Sequence, residues 1–122
     1  MGTMAILLLL LMITTGCSPE QAKEKVKITR DFAPITELKE DRPNIYVIVK
    51  SMTSSYWEVV LEGTKQAGID HECNIYAAGS ILETEWELQE AYIELAVENG
   101  ADAIILGPDN SEMLVPAVEM VH

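Results

Sequence analysis

The chain has 122 residues and a formal charge of −12, from 20 acidic and 8 basic side chains. One small core is the most that such a length can bury. Lys65 is the last basic residue, so everything beyond it carries unrelieved negative charge, which repels phosphate backbones and excludes nucleic acid as an expected partner. The two cysteines sit in unlike surroundings: Cys17 ends an apolar leader, and Cys73 lies in the short run CNIYAAG, where it reads as a small buried residue. No framework disulfide is expected between them.

Met4 to Ile13 is an unbroken apolar run, MAILLLLLMI. A membrane-spanning helix needs about 20 such residues, whereas this run has the length of a signal-peptide core. It passes into Thr14, Thr15, Gly16 and Cys17. Small residues ahead of a cysteine resemble the lipobox of bacterial lipoproteins, in which that cysteine becomes the lipidated first residue. The resemblance implies that residues 1–17 are an export signal. It also implies that Cys17 carries a lipid anchor on the extracytoplasmic face of the cell membrane. Thr14 stands where lipoboxes usually carry an aliphatic residue, and the leader MGTMA has no Lys or Arg.

Residues 18–43 are polar and mixed in charge, punctuated by Pro19, Pro34 and Pro43. A stretch of this kind has little apolar surface to bury and is expected to be a flexible tether. Its basic residues Lys23, Lys25, Lys27 and Arg30 suit weak contact with anionic lipids.

Regular structure is expected in residues 44–122. Ile45–Val49 (IYVIV) is a β-branched and aromatic run that predicts a strand buried on both faces. Ser54 or Ser55 is placed to cap a helix from about Tyr56 to Ala67, which Gly68 stops. Cys73–Ala77 predicts a second strand, Leu82–Asn99 a second helix closed by Gly100, and Ala103–Leu106 (AIIL) a third buried strand. The turn GPDNS then leads to a third helix near Glu112. Alternating strands and helices, with continuously apolar strands, predict an α/β fold: a parallel sheet covered by helices on both faces, in the order second-first-third strand. Both outer strands are expected to be unpaired edges.

At 100° per residue, Trp86, Leu88, Tyr92, Ile93, Leu95, Ala96 and Val97 share one broad arc of the second helix. Glu83, Glu87, Glu90, Glu94 and Glu98 form the opposite stripe, a wet face whose carboxylates diverge and do not suit a metal. Burial of Trp86 is worth about 2–3 kcal/mol. Gln89 alone interrupts the apolar arc and is expected to hydrogen-bond a nearby loop.

Ligands of open parallel sheets bind beyond the carboxyl ends of the strands. Here that edge consists of Lys50–Trp57, Ala78–Leu82 and Gly107–Ser111. The first loop has no glycine, which excludes a dinucleotide fingerprint or a phosphate-binding loop. His71 and His122 are the only histidines, one at the far end of the sheet and one terminal, so no catalytic set is expected, and no cofactor or metal. What the edge offers is hydroxyls, amides and aromatics: Ser51, Thr53, Ser54, Ser55, Tyr56, Trp57 and Asn110. Aromatic rings suit the apolar C–H faces of a sugar, and polar groups its hydroxyls. Standing alone, a Tyr-Trp pair at a helix start is more often core packing.

The segment Ile45–Val121 resembles the N-terminal lobe of periplasmic sugar-binding proteins of the ribose-binding type, on IYVIVKSMTSSYWEVVLEG, NGADAIILGPDNSE and Pro116-Ala117-Val118. The resemblance implies that Tyr56 and Trp57 stack on a sugar. It further implies that Lys50, Ser54 and Asn110 contact the sugar's polar groups. Ser54 and Ser55 replace the family's usual Asn-Pro, and Asn110 stands where an aspartate is common. It also implies two lobes of about six strands each, so that residues 44–122 are half of one lobe and the chain an N-terminal fragment. The expected role is capture of a sugar or related small polar solute outside the cytoplasmic membrane, without chemistry, for delivery to an ABC-type permease. The alternative is a ligand sensor feeding a histidine kinase or chemoreceptor. A lac-repressor-type effector domain would need a helix-turn-helix, and a receiver domain an acidic cluster where Lys50-Ser51-Met52 stands.

Overall fold

A computed structural model describes residues 26–122; the expected export signal and Cys17 lie outside the described residues. The elements are β1 (Ala33–Pro34), β2 (Asn44–Val49), α1 (Ser55–Asp70), β3 (Asn74–Gly79), α2 (Trp86–Glu98), β4 (Ala103–Leu106) and α3 (Val115–Val121). No helix among the described residues is long and apolar enough to cross a membrane.

β2 is the centre of a four-stranded sheet of order β1-β3-β2-β4. It pairs in parallel with β3, from Asn44↔Asn74 to Val49↔Gly79, and with β4, from Ile45↔Ala103 to Ile48↔Leu106. Alternate β2 side chains enter two cores, as the period of a strand dictates. Ile48 joins Tyr92, Ile93, Leu114 and Ala117 under α2 and α3. Val47 and Val49 join Ile75, with Leu61 and Trp57 of α1 packed against them. The expected strand order and the helices on both faces are therefore observed. Gly79 closes the β2–β3 pair, because a Cβ there would lie 2.6 Å from the Val49 carbonyl oxygen.

Three helix boundaries shift, and β3 runs Asn74–Gly79 rather than Cys73–Ala77. α1 runs through Gly68 to Asp70 and is closed at His71, because Gly68 is needed where the helix crosses the sheet: a Cβ there would meet Ile75 Cγ1. α2 begins at Trp86 rather than Leu82, and α3 at Val115 after a turn at 111–114. Val97, expected in the core, is half exposed beside β4, and Cys73 is only partly buried.

The tether reading needs a larger correction. From Ile28 onward the segment packs on the sheet. The Phe32 ring meets Tyr46 and Tyr92 edge-on, at 4.7 and 5.4 Å, and the Tyr92 hydroxyl donates to the Arg30 carbonyl. β1 pairs antiparallel with β3, through Ala33↔Ala77 and Pro34↔Tyr76, so the sheet is mixed and the outer edge of β3 is partly covered. Buried Asn74 binds both the amide and the carbonyl of Lys39. Isolated anchors at Ile28, Phe32 and Ile35 hold a segment whose average polarity conceals them.

β4, expected to be buried, alternates exposed and half-buried residues, because among the described residues it pairs only with β2; Ile105 on it is 53% exposed. Beside it lies an apolar cleft of about 280 Å³, lined by Val97, Ile104, Leu106, Val118 and Val121. An open apolar edge invites pairing with another chain. Residues 26–122 on their own are expected to self-associate in sedimentation or light scattering, and Ile105→Lys should shift them toward monomer; a wild-type segment that stays monomeric at high concentration would contradict this.

Candidate functional site

Three loops meet beyond the carboxyl ends of β2, β3 and β4, and a buried amide joins two of them. Gln89 of α2 is fully buried. Its Nε2 donates to the carbonyls of Gly107 (2.8 Å) and Val49 (3.4 Å), and its Oε1 accepts from the Asp109 amide at 2.7 Å. One polar side chain thus satisfies backbone groups at the ends of two strands, which the fold must do wherever strands stop inside the protein. The first two loops are tied as well. Buried Ser51 donates to the Ile81 carbonyl, the Met52 amide to Ser80 O, and the Ser80 hydroxyl to the Lys50 carbonyl.

The aromatic pair stands at the start of α1. Tyr56 is 67% exposed and meets Trp57 edge-on, with centroids 5.2 Å apart. Trp57 is half-buried. Its indole N–H donates to Glu83 at 3.1 Å, and its ring lies against Gly107, where a Cβ would come within 2.7 Å of Cη2. Trp57 is therefore partly a packing residue, whereas Tyr56 is not. Glu83 belongs to the loop before α2 and not to the helix's wet stripe.

The remaining expected residues divide. Lys50 is half-buried and lies close enough to Asp109 for their charges to interact. Asn110 follows Asp109, but its Oδ1 accepts from the amides of Glu112 and Met113, both at 3.0 Å, and so holds the turn into α3. Ser54 makes no side-chain cap to α1 and lines a cleft of about 590 Å³ together with Pro34, Glu58 and Lys65, apart from the Lys50–Asp109 group. A cleft of about 920 Å³ lies elsewhere, between Val26, Ile28 and the outer face of α2. Glu87, Glu90 and Glu94 border it, and no group of three metal-ligating side chains occurs among the described residues.

Sequence reasoning passed over Asp109 as a ligand residue. Its Oδ2 accepts a long bond from the Ser80 hydroxyl (3.4 Å), while Oδ1 is buried with no hydrogen-bond partner. Burial raises its pKa above 3.8, and nearby Glu83 adds to the rise. The Lys50 ammonium, the Ser80 hydroxyl and the Glu85 backbone amide pull it back. The only signal in the sequence was an acid two residues past the glycine that follows the apolar run AIIL.

No family model matches the chain. It is 26% identical over 81 residues to the D-ribose/D-allose-binding protein of Pseudomonas aeruginosa, a match that covers 65% of this chain. It superposes with a TM-score of 0.65 and 32% identity on a carbohydrate-transporter solute-binding protein from Agrobacterium radiobacter, solved with D-arabinose, over 67% of this chain. An ABC-transporter solute-binding protein from Burkholderia multivorans, solved with an unknown ligand built as α-D-erythrofuranose, gives 0.61 and 25% over 65%. The chain is similar to sugar-binding proteins of the ribose-binding type. Its described residues have the α/β lobe fold of those solute-binding proteins. The chain spans 25% of the length of the curated relative, and 28% and 29% of the two solved chains.

A raised carboxyl pKa has a defined effect on this lobe. A group whose folded pKa lies above its unfolded value contributes stability below the unfolded pKa and loses it as pH rises through the folded one. Ionised Asp109 therefore costs stability at neutral pH. Asp109→Asn should raise the melting temperature of the full-length gene product at pH 7, and the gain should disappear as pH falls to about 3, below both pKa values. A gain that persists unchanged at low pH would show that burial of the charge is not its cause.

Proposed function

We propose that the carboxyl edge of this sheet is one wall of a sugar site in an exported solute-binding protein. The intact protein captures the sugar between two lobes and passes it unaltered to an ABC-type permease. The observation that carries this is the exposed Tyr56 ring beside Trp57, at the strand edge of a lobe whose relatives in sequence and fold are solute-binding proteins. A ring with one apolar face free suits the C–H face of a pyranose or furanose, while Lys50 brings a polar group to the same edge. The open edge of β4 and the quarter share of the relatives' length support a larger protein, in which further strands and a second lobe complete the site. Ser54, on the neighbouring cleft, is a contact at the rim.

The residues divide the expected effects of mutation. In the full-length gene product, Tyr56→Ala should weaken sugar binding in calorimetric titration by more than tenfold, about 1.4 kcal/mol, with little change in melting temperature. Trp57→Ala should lose both affinity and stability, because its ring also fills the space over Gly107. If Tyr56→Ala leaves affinity untouched, the aromatic pair is packing and the sugar wall lies elsewhere.

Export and anchoring complete the reading. Thr14-Thr15-Gly16-Cys17 after an apolar run supports lipidation at Cys17 and a position on the outer face of the cytoplasmic membrane. Metabolic labelling with a fatty-acid analogue should mark the wild-type protein and not Cys17→Ser; equal labelling of both removes the anchor and leaves export alone.

A further inference from the structure

The Trp57 ring is held by both of the loops that face it. We propose that Glu83 is a positioning residue of the aromatic wall: its carboxylate fixes the angle of the indole, so that the ring face is set before a sugar arrives. The proposal rests on the reading of the edge as a sugar site, and concerns a residue that acts through Trp57 without touching the sugar.

An indole needs such a hold. The torsion that turns a tryptophan ring about its Cβ–Cγ bond is broad, so the backbone alone leaves the ring plane free to swing. Two contacts at opposite ends of the ring remove that freedom. The benzene end lies on Gly107, where a Cβ would come within 2.7 Å of Cη2 and 3.1 Å of Cζ3. The pyrrole end donates its N–H to Glu83 at 3.1 Å. An indole nitrogen only donates and an ionised carboxylate only accepts, so the bond fits one orientation of the ring. A half-turn would break both contacts. Tyr56 meets the same ring edge-on, so the angle fixed at Trp57 also sets the surface on which Tyr56 leans.

Glu83 can act in this way because its own loop is fixed. Residues 80–85 join β3 to α2. Ahead of Glu83, the Met52 amide donates to the Ser80 carbonyl at 2.8 Å. The Ile81 carbonyl accepts from the hydroxyls of Ser51 (3.1 Å) and Thr53 (3.3 Å). Behind it, the Glu85 carboxylate accepts from the Ile81 and Leu82 amides, at 3.2 and 3.1 Å, and closes the loop on itself. Glu83 is exposed, and an exposed hydrogen bond replaces one to water and adds little to folding. Its removal acts instead on ring orientation, which binding would then have to fix at a cost in affinity.

The test joins calorimetry to the indole signal, in the full-length gene product with D-ribose, D-arabinose and D-allose as probes. The Trp57 indole N–H resonance is identified in isotope-labelled protein by its loss in Trp57→Phe. Glu83→Ala should move that resonance and speed its hydrogen exchange. It should weaken the preferred probe by about five- to tenfold with little change in melting temperature. Glu83→Gln keeps an acceptor oxygen, and should restore the resonance and bring affinity to within about twofold of wild type. Trp57→Phe has no N–H to hold, so adding Glu83→Ala to it should cost no further affinity. A further loss in that background means that Glu83 meets the sugar directly, and overturns the positioning role. Unchanged affinity in Glu83→Ala overturns it as well, and leaves the sugar wall standing wherever Tyr56→Ala or Trp57→Ala still weakens binding. If those two variants bind as wild type, or wild type binds none of the three probes, the proposal and the sugar-site reading fall together.

Discussion

Everything in this lobe depends on β2, a strand that is paired along both edges and buried on both faces. Parallel pairing on two sides demands crossover helices, and the alternation of side chains divides those helices between two cores. Val47 and Val49 call for α1, and Ile48 calls for α2 and α3. Because all three parallel strands run the same way, their carboxyl ends gather at one edge, and the loops that leave them face one another. The site is a consequence of the sheet's polarity.

That convergence exposes backbone groups at strand ends, and two side chains resolve it differently. Gln89 is fully satisfied by the loop and strand groups around it and turns the end of β4 into a rigid mount. Asp109, seated on that mount, is left partly unsatisfied and carries a pKa raised by burial. A buried network usually completes its hydrogen bonds, so the incomplete member is where function is sought. Trp57 stands between these roles, with one part of its ring closing the core over Gly107 and its indole N–H fixed on Glu83.

The sheet was legible in the sequence because IYVIV and AIIL are continuous apolar runs with punctuation at both ends, and the order of the parallel strands follows from that. Gln89 was legible too, as the one polar residue in an apolar arc. The docked segment from Ile28 to Pro43 was not, because Phe32 and Ile35 are single anchors in a polar stretch. Their value depends on Tyr46, Tyr92 and Ile75 being already in place. At the site, the aromatic pair could be located from its position after β2. The use of Asn110 could not, since its amide oxygen is taken by the Glu112 and Met113 amides of the next turn. Helix starts failed in the same way, because neither α2 nor α3 has a side-chain cap to announce it.

The account's central claim is that sugar is held at the carboxyl edge of this sheet. A crystal structure of the full-length gene product with its preferred neutral sugar tests it most directly. The account predicts a sugar ring face against Tyr56 or Trp57 and a sugar hydroxyl within hydrogen-bond distance of a polar group of the loops at that edge. Sugar bound instead in the cleft along α2, or at the open edge of β4, would contradict it.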